Sequence, residues 1–182
     1  MKPSAILLLL SAVPAAHAHD VRHHDAHVHG QATVDVAVDN GIVELALRAP
    51  GIGILDFERP PANDSEQAAL QRARAILKGG AWVSLPTAAQ CRLQNAVASA
   101  DGFAATATTA TAANAEPNPH AHAGFTAALH YRCANPAALR ALVIPLPTLF
   151  PGLHEVIVNT AAASGQGRSV VTADNLRIPL AP

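Results

Sequence analysis

Five of the ten histidines in this chain fall within one short run, HDVRHHDAHVHG, residues 19–30. They are His19, His23, His24, His27 and His29, with Asp20 and Asp25 between them and His17 just upstream. Neutral imidazole is a borderline-soft donor that suits Zn, Cu, Ni and Co better than Ca or Mg. Zinc takes four ligands in a tetrahedron, and His nitrogen with Asp oxygen is an ordinary set. His27-Val28-His29 is an H-x-H pair; in an extended chain both rings lie on one side and reach one ion. His23 and His27 share a face only on a helix, so regular structure cannot use both sets at once. Asp20 and Asp25 can ligate directly or accept a ring N–H from behind. His120-Ala121-His122 repeats the H-x-H far along the chain, and the two pairs together would supply four nitrogens. They meet only if the strands that follow them, from about residues 31 and 124, start at the same end of one sheet. His130 reads as a lone exposed side chain, and His154, at the start of a strand after Gly152, as a cap on the turn or a solvated side chain.

Two plainer readings compete with a metal site. An affinity tag is a uniform repeat and does not follow a native export signal. A passive tail is the stronger rival, giving a secreted β-rich interaction domain with incidental histidines. Residues 19–30 lack apolar periodicity, which predicts a segment mobile until something binds. Such a segment suits scavenging or hand-over of an ion better than permanent structural metal.

The first residues speak to compartment. Lys2, the apolar run AILLLLSAVPAA and Ala16-His17-Ala18 follow the order of a secretory signal, cleaved after Ala18. The run is too short for a permanent transmembrane helix, and nothing later in the sequence is long and apolar enough to be one. An exported protein is expected, not membrane-spanning once residues 1–18 are removed. Loss of Lys2 leaves 11 basic against 13 acidic side chains, a net charge of about −2. That excludes the basic footprint expected of a nucleic-acid binder. In an oxidising compartment the two cysteines, Cys91 and Cys133, are expected to form a disulfide. A thiolate pair on a metal is disfavoured because no C-x-x-C is present.

Residues 31–182 read as one β-rich domain, mainly β or α+β, antiparallel and sandwich-like, with a single amphipathic helix. ATVDVAVDNGIVELALRAP alternates apolar and polar residues on both sides of Asn40-Gly41, the pattern of a two-residue hairpin. NDSEQAALQRARAILKGG has a capping box from Asn63 to Glu66, an apolar face of Leu70, Ala73 and Leu77, and a stop at Gly79-Gly80. Arg72, Arg74 and Lys78 then fall on a solvated face rather than an anion site. In GFTAALHYRC, Phe125, Ala127, Leu129, Tyr131 and Cys133 share one face. LVIPL, HEVIVNT and RSVVT add strands, and Asn135-Pro136 starts a short helix. Between the strands at CRLQNAVASA and GFTAALHYRC, the Ala/Thr-rich stretch of about residues 102–123 reads as a flexible surface loop.

No enzyme is expected. The chain has no G-x-S-x-G, H-E-x-x-H or Walker loop, and a mobile tail is a poor place to preorganise a hydrolytic zinc site.

Taken together, HAHDVRHHDAHVHGQATVDVAVDNGIVELALRAP, ILDFERPP, CRLQNA, FTAALHYRCANPAALRAL and LFPGLHEVIV with GQG resemble the ZrgA-type periplasmic zinc-uptake proteins across nearly all of residues 19–182. The family was long catalogued only as a domain of unknown function. The resemblance implies a zinc-binding, non-enzymatic protein of the bacterial periplasm that assists import beside a zinc transporter of the cell envelope. It carries the metal role to His23, His24, His27 and His29. Family members often have a long His/Asp-rich central tract, whereas here the loop offers only His120 and His122. Zn2+ is therefore the expected ion, with Cu2+ or Ni2+ the alternative. Cleavage after Ala16 would place His19 third from the new amino terminus, a square-planar arrangement for those two ions.

Overall fold

In the computed structural model, residues 30–104 and 123–180 are described. Strand β1 (Gln31–Asp39) turns through Asn40 and Gly41 into β2 (Ile42–Pro50). Both turn residues have positive φ, 46° and 80°, and Asp39 pairs with Ile42, so the expected two-residue hairpin forms. A short helix α1 (Gly51–Leu55) follows, and then α2 (Asp64–Gly79). The remaining strands are β3 (Cys91–Asp101), β4 (Gly124–Cys133), β5 (Ala141–Val143), β6 (Glu155–Ala162), β7 (Gly165–Val171) and β8 (Arg177–Pro179), with helix α3 (Leu146–Leu149) before β6. Asn135-Pro136 does open a single 3-10 turn, Pro136–Ala138.

Six strands make one sheet in the order β3-β4-β2-β1-β6-β7, and β5 and β8 make a small second one. The pairing is antiparallel throughout except between β1 and β6, which run parallel. Period-2 alternation sends Val34, Val36, Val43, Leu45, Leu47, Phe125, Leu129, Val156 and Val158 to one buried face. That face is covered by α2, the short helices and the small sheet, so the domain has two layers around an aliphatic core. The other face carries Asp35, Glu44, Arg48, Thr126 and Asn159. Asp35 accepts from Arg48 Nη2 at 2.6 Å and from Asn159 Nδ2 at 2.8 Å. The Asn159 amide, and after it Arg48, holds the Asp35 carboxyl below its ordinary value against partial desolvation.

Helix α2 obeys its sequence signals. Asn63 Oδ1 accepts from Glu66 N at 2.9 Å, and Gly80 takes the left-handed conformation at φ 74°. The return half of the capping box is displaced by one residue, because Glu66 Oε2 accepts from Ala62 N at 2.7 Å. Leu70, Ala73 and Leu77 are buried as expected. Arg72 and Lys78 are exposed, while Arg74 Nη2 reaches Ala100 O of β3 at 3.3 Å. Below the helix, Trp82 is fully buried and donates its indole N–H to Leu77 O at 2.8 Å.

Cys91 and Cys133 face each other across β3 and β4 and are joined as a disulfide, closing a separation of 42 residues. In the chain-entropy account a loop of that length is worth about 4 kcal/mol. Cys91→Ser/Cys133→Ser is therefore expected to lower the unfolding free energy by about 2–4 kcal/mol in urea titrations followed by Trp82 fluorescence.

A second stability test comes from Glu66. Arg59 pairs with it through two bonds, Nη1 to Oε2 at 2.6 Å and Nη2 to Oε1 at 2.8 Å. That pairing, with the Ala62 N–H, lowers the Glu66 carboxyl from 4.5 to about 2. A carboxylate with a depressed folded pKa stabilises fully above its unfolded value and loses that contribution as pH falls toward the folded one. Glu66→Gln should lower the melting temperature at pH 7, and the gap from the parent should close between pH 4.5 and about 2.

Candidate functional site

The six expected metal ligands, His23, His24, His27, His29, His120 and His122, lie outside the described residues. So do His17, His19, Asp20 and Asp25. The fold does place the chain positions from which both H-x-H pairs depart. β2 pairs antiparallel with β1 on one side and with β4 on the other. The two flanking strands therefore run parallel and start at one end of the sheet. At that end Gly124 pairs with Pro50 and with Asp101, and Gln31 pairs with Glu155. Neighbouring strands lie about 4.8 Å apart, so the starts of β1 and β4 are about 10 Å apart.

Each pair also stands at the same sequence offset from its strand. His29 and His27 are one and three residues before Gly30; His122 and His120 are one and three residues before Ala123. The condition for the two pairs to share an ion, strands starting at one end, is met.

Both departure points are held tightly. The Gly30 carbonyl accepts from His154 N at 2.8 Å and from Glu155 N at 3.1 Å. Gly30 has φ 78°, and a Cβ there would fall 2.6 Å from His154 Cδ2. The His154 ring thus lies against the residue that follows His29, and it is exposed to solvent. Glu155 beside it accepts from Gln31 Nε2 at 3.3 Å.

On the other side, the Ala123 carbonyl accepts from Gly51 N at 2.8 Å. Gly102 has φ 82°, and a Cβ there would stand 2.8 Å from Ala123 Cα. The two ends of the Ala/Thr-rich stretch therefore touch. Phe103 is buried at that base, edge-on to Phe57 with centroids 6.0 Å apart and tilted on Phe125 at 5.1 Å. The surface stretch expected over about 102–123 is rooted in the core at Phe103 and Ala123, and residues 105–122 lie outside the described residues.

Among the described residues, no three His, Cys, Asp or Glu side chains are grouped to hold a metal ion. The folded domain supplies stems and neighbours, not a complete ligand set. A concavity of about 670 Å³ lies elsewhere, on the outer face over Ala37, Ala46, Ala128 and Ala161. His130 borders it, opposite Glu44 and Asn95 in the register. That trough is several residues along the strands from the end where β1 and β4 start.

The fold defines a β-sheet domain in which the strands that follow the two histidine-bearing stretches of sequence start at one end. The chain belongs to the ZrgA family of zinc uptake proteins, whose model matches residues 26–180. No curated protein matches the chain. Among the described residues, no helix is long and apolar enough to cross a membrane. The match starts at Ala26, so it takes in His27, His29, His120 and His122 but not His23 and His24. What periodicity could not give was the contact of His154 with Gly30, since the two come together only through the parallel pairing of β1 with β6.

The glycines at the stems are testable. Left-handed backbone costs a residue with Cβ about 1–2 kcal/mol. At Gly30 the added methyl meets a side-chain ring, which can turn away; at Gly102 it meets the Ala123 backbone. Gly102→Ala is therefore expected to destabilise more than Gly30→Ala, read as the larger drop in urea midpoint.

Proposed function

We propose that this protein captures zinc in the periplasm through imidazoles at one end of its sheet and passes it toward a transporter of the cell envelope, without catalysing a reaction. One observation carries the reading: β1 and β4 start side by side across β2, with an H-x-H pair at the same offset before each. Four imidazole nitrogens from His27, His29, His120 and His122 match the tetrahedral preference of zinc. His23 and His24 extend the donor set, so that an ion can be taken first by one group and then moved to the other. Family membership supports zinc as the ion. The leader-like residues 1–18 and the Cys91–Cys133 disulfide support an oxidising, extracytoplasmic compartment.

Binding requires deprotonated imidazole, so affinity should fall as pH drops through about 6.5. Calorimetric zinc titration of the parent is compared with a variant carrying Ala at His23, His24, His27 and His29, and with His120→Ala/His122→Ala. Saturable binding in the parent, weaker at pH 5.5 than at pH 7.5 and reduced in both variants, is expected. Parent protein that takes up no zinc at pH 7.5 would overturn the reading. Loss in the first variant alone would remove the loop pair from the site.

A further inference from the structure

We propose that β3 is a self-association edge, on which a second copy of this chain docks its own β3 antiparallel and so extends the sheet. β3 is the outermost strand on its side, with β4 within and no strand beyond it among the described residues. Which of its amides face outward follows from β4. Cys133 N donates to Gly41 O and Ala123 O accepts from Gly51 N, so the odd-numbered residues of β4 turn their amides toward β2. Their partners on β3, which are Leu93, Ala96, Ala98 and Ala100, therefore present N–H and C=O outward. Arg74 Nη2 reaches Ala100 O at 3.3 Å from that side, which leaves the carbonyl a second lone pair. A row of outward amides is a template for another strand. Two of the three large apolar side chains exposed among the described residues also stand on β3, Leu93 at 40% and Val97 at 54%.

The residues of β3 select a copy of themselves. A twofold axis is placed through Val97, perpendicular to the sheet, with Gln94 skipped as the extra residue of the bulge between Leu93 and Asn95. Ala96 then faces Ala98 of the second copy and Leu93 faces its Ala100, pairs in which both residues have outward amides. Val97 faces Val97 in a non-hydrogen-bonded pair, where side chains approach most closely. Asn95 meets Ser99, and Arg92 meets Asp101. Apolar thus falls on apolar, polar on polar and cation on anion. The last pair answers a local need. Arg92 stands directly across from Arg132 in the β3–β4 register, a like-charge pair, and neither has an ion-pair partner among the described residues. Asp101 of the second copy brings a carboxylate beside them. The opposite edge of the sheet offers no such match, because β7 is centred on Arg168 and the same operation there opposes like charges.

The test is sedimentation velocity on the full chain over a concentration series, with EDTA present so that shared metal cannot join copies. A reversible dimer is expected, with a dissociation constant between about 1 μM and about 1 mM, as suits a small interface. Arg92→Asp sets like charges at both ends of the interface and should weaken the dimer at least about tenfold. Arg92→Asp/Asp101→Arg should restore it. Val97→Lys puts two ammonium groups on the axis and should leave a monomer. Arg92, Val97 and Asp101 are exposed, so the unfolding midpoints of the dilute variants should match that of the dilute parent. In the parent, exchange of the Ala96 and Ala98 amides should slow as concentration rises. A parent that stays monomeric to about 1 mM overturns the proposal. So does a dimer that neither Arg92→Asp nor Val97→Lys weakens, which would use another surface, or one that the double charge swap fails to restore. Slow exchange at Ala96 and Ala98 in a monomeric parent would mean that another part of the same chain pairs with β3, and would equally overturn it.

Discussion

β2 bonds on both edges to antiparallel neighbours, and that double ladder is the constraint on which the rest of the molecule depends. Its hydrogen bonds fix β1 and β4 parallel to each other, with one strand between them. A single reversal, one hairpin drawn the other way, would put the starts of these strands at opposite ends of the sheet, more than a strand length apart. Register has the same authority over faces as over ends, since a slip of one residue moves every side chain of a strand to the other side. Asn40 and Gly41 pin the register on one edge of β2. The buried run of Phe125, Ala127 and Leu129 pins it on the other.

The core bears out what a composition rich in Ala, Val, Leu and Ile implies. Most of the sheet face is covered by branched aliphatics that pack without polar atoms, and no charged or polar side chain is buried among the described residues. Aromatic residues are scarce, only four Phe with one Trp and one Tyr. Three of the four Phe, at positions 57, 103 and 125, gather where the Ala/Thr-rich stretch leaves and rejoins the domain. Arg59 stacks on Phe57 at 5.0 Å and reaches on to Glu66 at the start of α2. The heaviest packing available to this sequence is thus devoted to holding a loop base closed.

The local elements were legible in the sequence and the long-range ones were not. The hairpin, the capped helix with its apolar stripe and the alternating face of β4 rest on signals spanning a few residues, and the disulfide on there being two cysteines to pair. The parallel pairing of β1 with β6 joins residues 124 apart, Gln31 with Glu155 for instance. Nothing in either segment names its partner, because Val-rich alternation fits any neighbour. For the same reason the sequence could identify two H-x-H pairs but could not say that their strands start together. His154 is invisible in the sequence as a neighbour of the histidine run, since its isolation is the usual mark of a solvated residue. Phe103 reads as part of a surface stretch because Ala and Thr dominate the residues after it. Its burial becomes evident only once Phe57 and Phe125 stand across from it.

An ion carrier has to bind tightly enough to collect zinc and loosely enough to release it. A cage built wholly on rigid strands would be preorganised and slow to let go; donors with no fixed partner would have to be ordered anew each time. On the proposed reading, the task would be divided between fixed strands and the segments that precede them. Gly30 and Ala123 are held about 10 Å apart, and each H-x-H pair is one and three residues from its fixed point. With a chain reach of about 3.3 Å per extended residue, the proposed ion between the stems would need no change in the sheet to meet both pairs. The cost of closing on the ion then falls on a handful of residues rather than on the fold. Affinity can be tuned by the number of imidazoles those residues carry while the domain beneath stays the same. On the proposed reading, a longer histidine tract in that stretch would raise capacity, and one with only His120 and His122 would shift the weight of binding toward the amino-terminal run.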